Sequence, residues 1–181
     1  MRPICGWKNV VINNTTQPET KLTGVSYQYG GGWWSGTRDP VGFTVQDPNH
    51  WVYVGTGLTK GSVFGKQERL VGYEFDGAGI KQDSQGNYVL DSQGNYVLID
   101  PNSTFKILGL AILDSHWEDR RSGNGAAATM GVWGGDAAVQ GTVFTAATTD
   151  WARVLAYSRG RARKVVDGIT RNVLDKLSSP R

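Results

Sequence analysis

Residues 141–155, GTVFTAATTDWARVL, restrict the fold more than any other part of the chain. Residues 142–147 are mostly β-branched or aromatic, which predicts a buried strand. The polar Thr-Thr-Asp that follows ends the strand, and Trp151 is predicted to begin a helix. In α/β folds such a strand-to-helix corner presents polar groups to a ligand. The segment therefore predicts a strand, a polar corner and a helix in direct succession.

The length and composition indicate a single β-rich domain over residues 1–181. The chain has 25 Gly and 7 Trp, but only 19% of its residues are charged. Glycine and aromatic residues together favour strands joined by tight turns. Residues 105–113, FKILGLAIL, form the most hydrophobic run and predict a central strand. Further strands are predicted at 126–133 and 70–75, which gives an α+β class with a β-rich sheet and a C-terminal helix.

Residues 40–58 predict two more strands around the Asp-Pro-Asn turn at 47–49. Phe43 and Val45 alternate before the turn, and residues 51–54 alternate after it. The three consecutive glycines at 30–32 are tolerated where the backbone packs closely or must flex, since ordered glycine loses much conformational entropy.

The segment 150–177 predicts a helical tail. Gly160 favours a break between a short helix from Trp151 to about Ser158 and a second helix, while a single kinked helix is the alternative. The apolar residues of the second helix recur at spacings of three and four; they are Val165, Val166, Ile169, Val173, Leu174 and Leu177.

A perfect tandem repeat occupies residues 83–98, where DSQGNYVL occurs twice. Two copies are too few for a solenoid, which needs about three or more stacked units. The repeat therefore predicts a duplicated hairpin loop or a single hairpin with identical arms. Because loops tolerate insertions, we do not expect a functional site there.

Charge, hydropathy and cysteine content limit the kinds of partner, location and covalent cross-link that the sequence predicts. The segment from Asp150 onward contains eight Lys and Arg residues and three Asp residues, which gives it a net charge of +5. This basic tail is better explained as a solvated helix face than as a nucleic-acid site. No apolar run reaches 18 residues, so no membrane span is predicted, and a cytoplasmic location is expected. Cys5 is the only cysteine, which excludes an intramolecular disulfide.

Glu74 is the strongest candidate for a functional side chain. It lies in LVGYEFD, where a carboxylate within a strand must be paired, hydrogen-bonded or raised in pKa. The alternative is an edge strand on which Leu70, Gly72 and Glu74 share a solvent-facing side.

The two histidines are weaker candidates. His50 could act as a general base at a strand edge, or it could be a turn histidine that packs on Trp51. His116 and Glu118 could supply two metal ligands with Asp114 as a third, although the adjacent charges favour a solvated loop. A nucleophile pair formed by Cys5 with either histidine lacks an activating turn.

Several segments together resemble the C-terminal region of the N,N-dimethylformamidase β (large) subunit-like family. The resemblance extends over most of residues 7–177. The segments that carry it are HWVYVGTGL (50–58), VFGKQERLVGYEFD (63–76), FKILGLAIL (105–113), ATMGVW (128–133), GTVFTAATTDWARVL (141–155) and ITRNVLDKL (169–177).

The resemblance implies the end of an α/β domain similar to class I glutamine amidotransferases. The best-known member of the family hydrolyses a small formamide with a mononuclear iron held by two Tyr and one Glu, which lie upstream of the matched stretch, and the resemblance extends this activity to the relatives only by analogy. No metal ligand is therefore transferred to this chain, and iron is expected only in the complete family protein. A glutamate that borders the family's pocket matches Glu74. The doubled DSQGNYVL departs from the shorter loop expected in relatives.

Two hypotheses follow from these observations. In the first, the chain is the C-terminal portion of an amide hydrolase whose reactive half lies elsewhere, so that it is not catalytic alone. In the second, it is a non-catalytic structural or subunit-docking domain with unpaired strand edges. The second hypothesis predicts a homo-oligomer or a partner subunit.

Overall fold

The computed structural model describes residues 10–12, 15–17, 19–114, 117–119, 126–134 and 141–178. Ten strands and three α-helices are described in this part of the chain. The strands are β1 Val10–Ile12, β2 Thr15–Gln17, β3 Ser26–Gly32, β4 Phe43–Val45, β5 Val63–Phe64, β6 Glu74–Gly77, β7 Lys106–Ile112, β8 Glu118–Asp119, β9 Ala127–Trp133 and β10 Val143–Thr145. The helices are α1 Thr20–Thr23, α2 Trp151–Tyr157 and α3 Arg161–Ser178, with a 3₁₀ turn at Trp51–Tyr53.

The larger sheet has five strands in the order β10-β9-β7-β4-β5. The strands predicted at 105–113 and 126–133 are confirmed as β7 and β9, and β7 lies in the middle of the sheet. The strand predicted at 142–147 is shorter and only half-buried, because β10 is an edge strand with β9 on one side.

The β7 strand contains an irregularity that its apolar run could not reveal. Between Ile107 and Gly109 the register against β9 shifts. The strand consequently presents Leu108 to one face of the sheet and Leu110 to the other, where they join two separate hydrophobic clusters. A regular strand would place these two residues on the same face.

The smaller sheet has the order β6-β3-β8, and its close packing explains the consecutive glycines. A Cβ atom on Gly30 would lie 2.0 Å from the carbonyl oxygen of Phe75, and one on Gly32 would lie 2.5 Å from that of Tyr73. The glycines of β3 therefore allow its backbone to approach the segment that contains Tyr73 and Phe75. Close packing, rather than flexibility, accounts for these glycines.

The second strand predicted within 40–58 is wrong. Residues Trp51–Tyr53 form a 3₁₀ turn, in which Val52 and Tyr53 are both buried. The Tyr53 hydroxyl donates to the Leu108 carbonyl over 2.7 Å, and the Asn172 amide of α3 donates to the carbonyls of Val52 and Val54. Tertiary contacts with the sheet and α3 thus override the strand propensity of this aromatic segment.

The duplicated segment forms two successive turns rather than one hairpin with identical arms. Each copy closes its own turn, with bridges Gln82↔Tyr88 and Leu90↔Tyr96, and a third bridge joins Ile80 to Leu98. The backbone N–H groups of residues 81, 89 and 97 donate to the carbonyls of 97, 81 and 89, respectively. The segments around residues 81, 89 and 97 are therefore joined in a closed ring. We call residues 80–98 the repeat ring.

The helical tail is confirmed as two helices separated near Gly160, which has a positive φ of 81°. The buried residues of α3 are Ala162, Val165, Val166 and Ile169. Val165, Val166 and Ile169 pack with the 3₁₀ turn and one face of the larger sheet in the main core. The other face of that sheet carries a smaller core that includes Ile80, Phe105 and Leu110, flanked by Tyr88 and Tyr96 of the repeat ring.

Among the described residues that precede β3, β1 and β2 pair as a hairpin, and α1 is a short helix that the sequence analysis did not predict. Its last turn ends at Gly24 with a φ of 79°, a conformation that glycine adopts readily.

The described fold is a mixed, sheet-rich α+β arrangement with open sheets and helices at the C-terminal end. All strand pairs named here are antiparallel. The implied similarity to an amidotransferase-like α/β domain stays a prediction. No helix in the described ranges is long and apolar enough to cross a membrane.

Candidate functional site

The corner between β10 and α2 connects the two sheets. The Thr148 hydroxyl donates to the Leu70 carbonyl over 2.8 Å, and the Thr149 N–H donates to the Glu74 carbonyl over 3.1 Å. Ala147 accepts from the N–H of Asp76 and has a positive φ of 54°, which is uncommon for a residue other than glycine. The corner thereby covers the edge of β6 that faces away from β3.

The buried carboxylate of Asp150 holds this corner in place through ion pairs with two arginines. The Asp150 side chain is only 9% exposed, and its oxygens lie 2.8 Å from Arg38 Nη2 and 2.6 Å from Arg153 Nε. Burial lowers the pKa of Arg38, while the neighbouring Asp150 opposes that change. A buried carboxylate between two guanidinium groups is stable only because both partners are present.

The same arginines bind the loop that precedes β6. Arg153 Nη2 donates to the carbonyls of Glu68 and Arg69 over 2.7 and 2.9 Å. Arg69 Nε donates to the Arg38 carbonyl over 2.8 Å. We call Arg38, Arg69, Asp150 and Arg153 the arginine clasp. The corner directs these polar groups into the protein, where they hold three distant segments together.

Glu74 is the first residue of β6, and it pairs with Gly32 of β3. The strand predicted at 70–75 starts only at Glu74, because Gly72 has a φ of 120° and interrupts the extended backbone. Leu70 and Gly72 are buried whereas Glu74 is half-buried, so the three do not share a solvent-facing side. Among the described residues, the Glu74 carboxylate has no hydrogen-bond partner.

Asp76 is a second carboxylate that sequence reasoning missed. It lies two residues after Glu74 on β6, so that both project from the same side of the strand. Burial raises the pKa of Asp76 to about 6, with further contributions from the charges of Glu19 and Glu74. The alternation Glu-Phe-Asp was the available signal, because buried Phe75 places its two neighbours on the opposite face.

A carboxylate pair of this kind can divide acid and base roles. Near neutral pH an acid with a pKa of about 6 exchanges its proton readily, and a second carboxyl group beside it can orient water or substrate. We call Glu74 and Asp76 the β6 carboxylate pair.

His50 lies elsewhere, before the 3₁₀ turn that packs on α3. Its Nδ1 accepts from the Val52 N–H over 3.4 Å, and its ring centroid lies 5.1 Å from that of Trp51. Burial lowers the pKa of His50, and the charge of Lys106 lowers it further. This geometry matches the turn-histidine alternative, and the described contacts of His50 do not include Glu74.

The remaining candidates lie largely outside the described residues. Cys5 and His116 belong to undescribed parts of the chain, and Asp114 is exposed. Within the described residues, no three His, Cys, Asp or Glu side chains are grouped so as to hold a metal ion. No iron ligand is therefore assigned among them.

Two open clefts flank the repeat ring. One has a volume of about 620 Å³ and lies between α1, β3 and the segment after the ring; its lining includes Glu19, Tyr29, Asp100 and Trp133. We call it the Trp133 cleft. The other, of about 740 Å³, lies between the 46–49 turn and the second repeat copy. Neither could be inferred from the sequence, because each is assembled from segments far apart in the chain.

Comparison with known proteins places the chain in one family. The family model described as "N,N-dimethylformamidase beta subunit-like, C-terminal" matches residues 5–165. No curated protein and no solved structure matches the chain. The match covers the β6 carboxylate pair, the arginine clasp and all the described strands. The chain therefore belongs to the N,N-dimethylformamidase beta subunit-like C-terminal family.

Proposed function

We propose that this chain is the C-terminal portion of an N,N-dimethylformamidase-like amide hydrolase and is not catalytic alone. The observation that carries this proposal is the β6 carboxylate pair, which lies within the residues matched by the family. Its substrate would be a small linear amide. We further propose that the domain joins the remainder of an amidotransferase-like α/β domain, which supplies the rest of the pocket.

Glu74 is the proposed catalytic residue of this portion. Its carboxylate is half-buried and has no hydrogen-bond partner in the described ranges, so that it can position water or the substrate amide. Asp76 provides a neighbouring group whose pKa of about 6 suits proton exchange near neutral pH. The raised pKa of Asp76 results first from burial and then from the charges of Glu19 and Glu74.

The arginine clasp would keep this pair in place. Thr149 binds the backbone of Glu74, and Ala147 binds the backbone of Asp76. Asp150 follows directly and is anchored by Arg38 and Arg153. A group held on a rigid element keeps its orientation toward a reacting atom, which contributes to rate. His50 has no such connection, and a catalytic role for it stays a prediction.

Iron is proposed only for the complete family protein. It would act there as a Lewis acid toward the amide carbonyl. In the described part of this chain we assign to Glu74 and Asp76 the positioning and proton-exchange roles only.

The test is reconstitution of amide hydrolysis. A family protein lacking the region that corresponds to this chain is combined with the wild-type chain, and hydrolysis of N,N-dimethylformamide is measured. We expect activity to return with the wild-type chain and to fall by about 100-fold or more with Glu74→Gln. Asp39→Asn, an exposed carboxylate change, is the matched control and should retain activity. Full activity with Glu74→Gln would contradict the catalytic assignment.

A non-catalytic docking domain is the second candidate. Tyr157 at the end of α2 is 84% exposed, and Val54 beside the 3₁₀ turn is 66% exposed. The family description names a β subunit, which supports a partner subunit or a second copy at such a surface. Sedimentation of the purified chain should show self-association that Tyr157→Ser weakens. A monomer at all concentrations would argue against self-association.

A further inference from the structure

The Trp133 cleft combines aromatic rings with carboxylates at its wall. Tyr29 of β3 and Trp133 at the end of β9 both line it, together with the apolar side chain of Leu98. Its volume of about 620 Å³ is within the range of small-molecule sites. The electron-rich faces of Trp and Tyr attract cations, and Trp does so most strongly.

The carboxylates of the cleft retain capacity to bind a cation. Glu19 accepts a hydrogen bond from the Ser26 hydroxyl through Oε1, and Asp100 accepts one from the Asn102 N–H through Oδ1. Among the described residues, the second oxygen of each group has no hydrogen-bond partner. Among the described residues that line the cleft, Lys21 is the one cation, and its side chain is exposed.

The surroundings add to the negative potential of the cleft. Asp76 is close enough to Glu19 for the charge of Glu19 to raise its pKa. A positively charged ligand near Glu19 would relieve this repulsion, whereas an anion would increase it. The negative charge and the aromatic lining of the cleft thus both favour a positively charged ligand.

We propose that the Trp133 cleft binds a small organic ammonium cation. The aromatic rings would contact the alkyl groups, and the Glu19 and Asp100 carboxylates would balance the charge. This proposal does not depend on the proposed function, because neither Glu74 nor Asp76 lines the cleft, although the charge of Glu19 acts on Asp76. An unsuccessful test here would leave the hydrolase proposal unaffected.

The experiment titrates the full chain with tetramethylammonium chloride and follows backbone amide signals by NMR. This probe keeps its charge at every pH. We expect saturable shifts at residues of the cleft, such as Gln28 and Thr104. Sodium chloride at equal ionic strength and tert-butanol, a neutral molecule of similar size, should not reproduce them. Equal shifts with tert-butanol, or shifts confined to another surface, would overturn the proposal.

Variants assign the binding to the cleft. Glu19→Gln retains an acceptor for Ser26 but loses the charge, and we expect it to weaken binding about fivefold or more. Trp133→Leu should weaken binding about threefold, since it removes the aromatic face. Asp100→Asn is a second charge variant on an exposed residue, and Asp39→Asn is the control outside the cleft. Unchanged affinity in both Glu19→Gln and Asp100→Asn would also overturn the proposal.

Discussion

The repeat ring and the arginine clasp show two ways in which aspartates organise this chain. In the ring, Asp83 and Asp91 each accept hydrogen bonds from backbone N–H groups two and four residues later. In the clasp, Asp150 is buried and binds Arg38, which comes from a distant part of the sequence. The ring therefore depends on local, solvated contacts, whereas the clasp depends on tertiary contacts around a buried carboxylate.

This difference predicts how each region responds to change. Water can replace a lost hydrogen bond at an exposed turn, but it cannot readily replace a counterion in the interior. The ring could be copied during evolution because each unit carries its own turn. The clasp joins three segments and cannot be duplicated as a local unit.

The largest effect is expected for Asp150→Ala. The change leaves Arg38, whose side chain is 13% exposed, without its counterion, so the free energy of unfolding should fall by about 3 to 5 kcal/mol. Urea unfolding followed by circular dichroism measures this loss. Asp83→Ala is the matched control in the ring and should cost far less. Equal losses in the two variants would remove the distinction between the regions.

A pH-dependent effect of intermediate size is expected at Asp76, whose backbone contacts the corner. Its pKa is about 6 in the folded protein, whereas the ordinary value for an aspartate is 3.8, so folding favours the protonated form. Its contribution to stability is complete below about pH 4 and is lost as the pH rises through about 6. This loss corresponds to about 3 kcal/mol at most.

Asp76→Asn tests that prediction. The variant should remove this part of the pH dependence, and at pH 7 it should be more stable than the wild-type chain. Parallel urea titrations of the two proteins at pH 4 and pH 7 measure the difference. An identical pH dependence of stability in the two proteins would show that burial and neighbouring charge do not raise the pKa of Asp76.

A smaller effect is expected when one repeat copy is deleted. Removal of residues 83–90 or 91–98 gives the same sequence, in which Lys81 and Val89 can exchange both backbone hydrogen bonds as an ordinary antiparallel pair. Stability should fall by about 1 to 2 kcal/mol, because one tyrosine beside the smaller core is lost. Thermal unfolding provides the measurement. Complete loss of folding would show that the second copy is essential.

The smallest effect is expected at His50. Its imidazole accepts from Val52 at the start of the 3₁₀ turn, and loss of such a capping bond costs about 1 kcal/mol. His50→Asn can keep the acceptor and should leave both stability and reconstituted hydrolysis nearly unchanged. A large fall in turnover without a fall in stability would instead support the catalytic alternative for His50.

The sequence was most informative where structure depends on local pattern. The strands β7 and β9, the start of α2 at Trp151 and the break near Gly160 followed from hydrophobic periodicity and helix breakers. The tandem repeat was also visible directly. Its closure into a ring was not, because that requires the Lys81 N–H to meet the carbonyl of Val97.

Features that depend on distant partners could not be predicted. The register shift in β7 occurs where the strand packs on both faces of the sheet, and the 3₁₀ turn forms hydrogen bonds with Leu108 and Asn172. In the candidate site, the sequence singled out Glu74 as a candidate because a carboxylate in an apolar strand is unusual. Asp76 was missed because its raised pKa depends first on burial and then on the charge of Glu19, and only the fold establishes both.

The decisive measurement is the rate of N,N-dimethylformamide hydrolysis by this chain alone and after combination with the remainder of a family protein. We predict no turnover by the isolated chain and restored turnover in the combination, with Glu74→Gln reducing the restored rate. Turnover by the isolated chain, or a restored rate that is indifferent to Glu74, would contradict the proposed division of the active site.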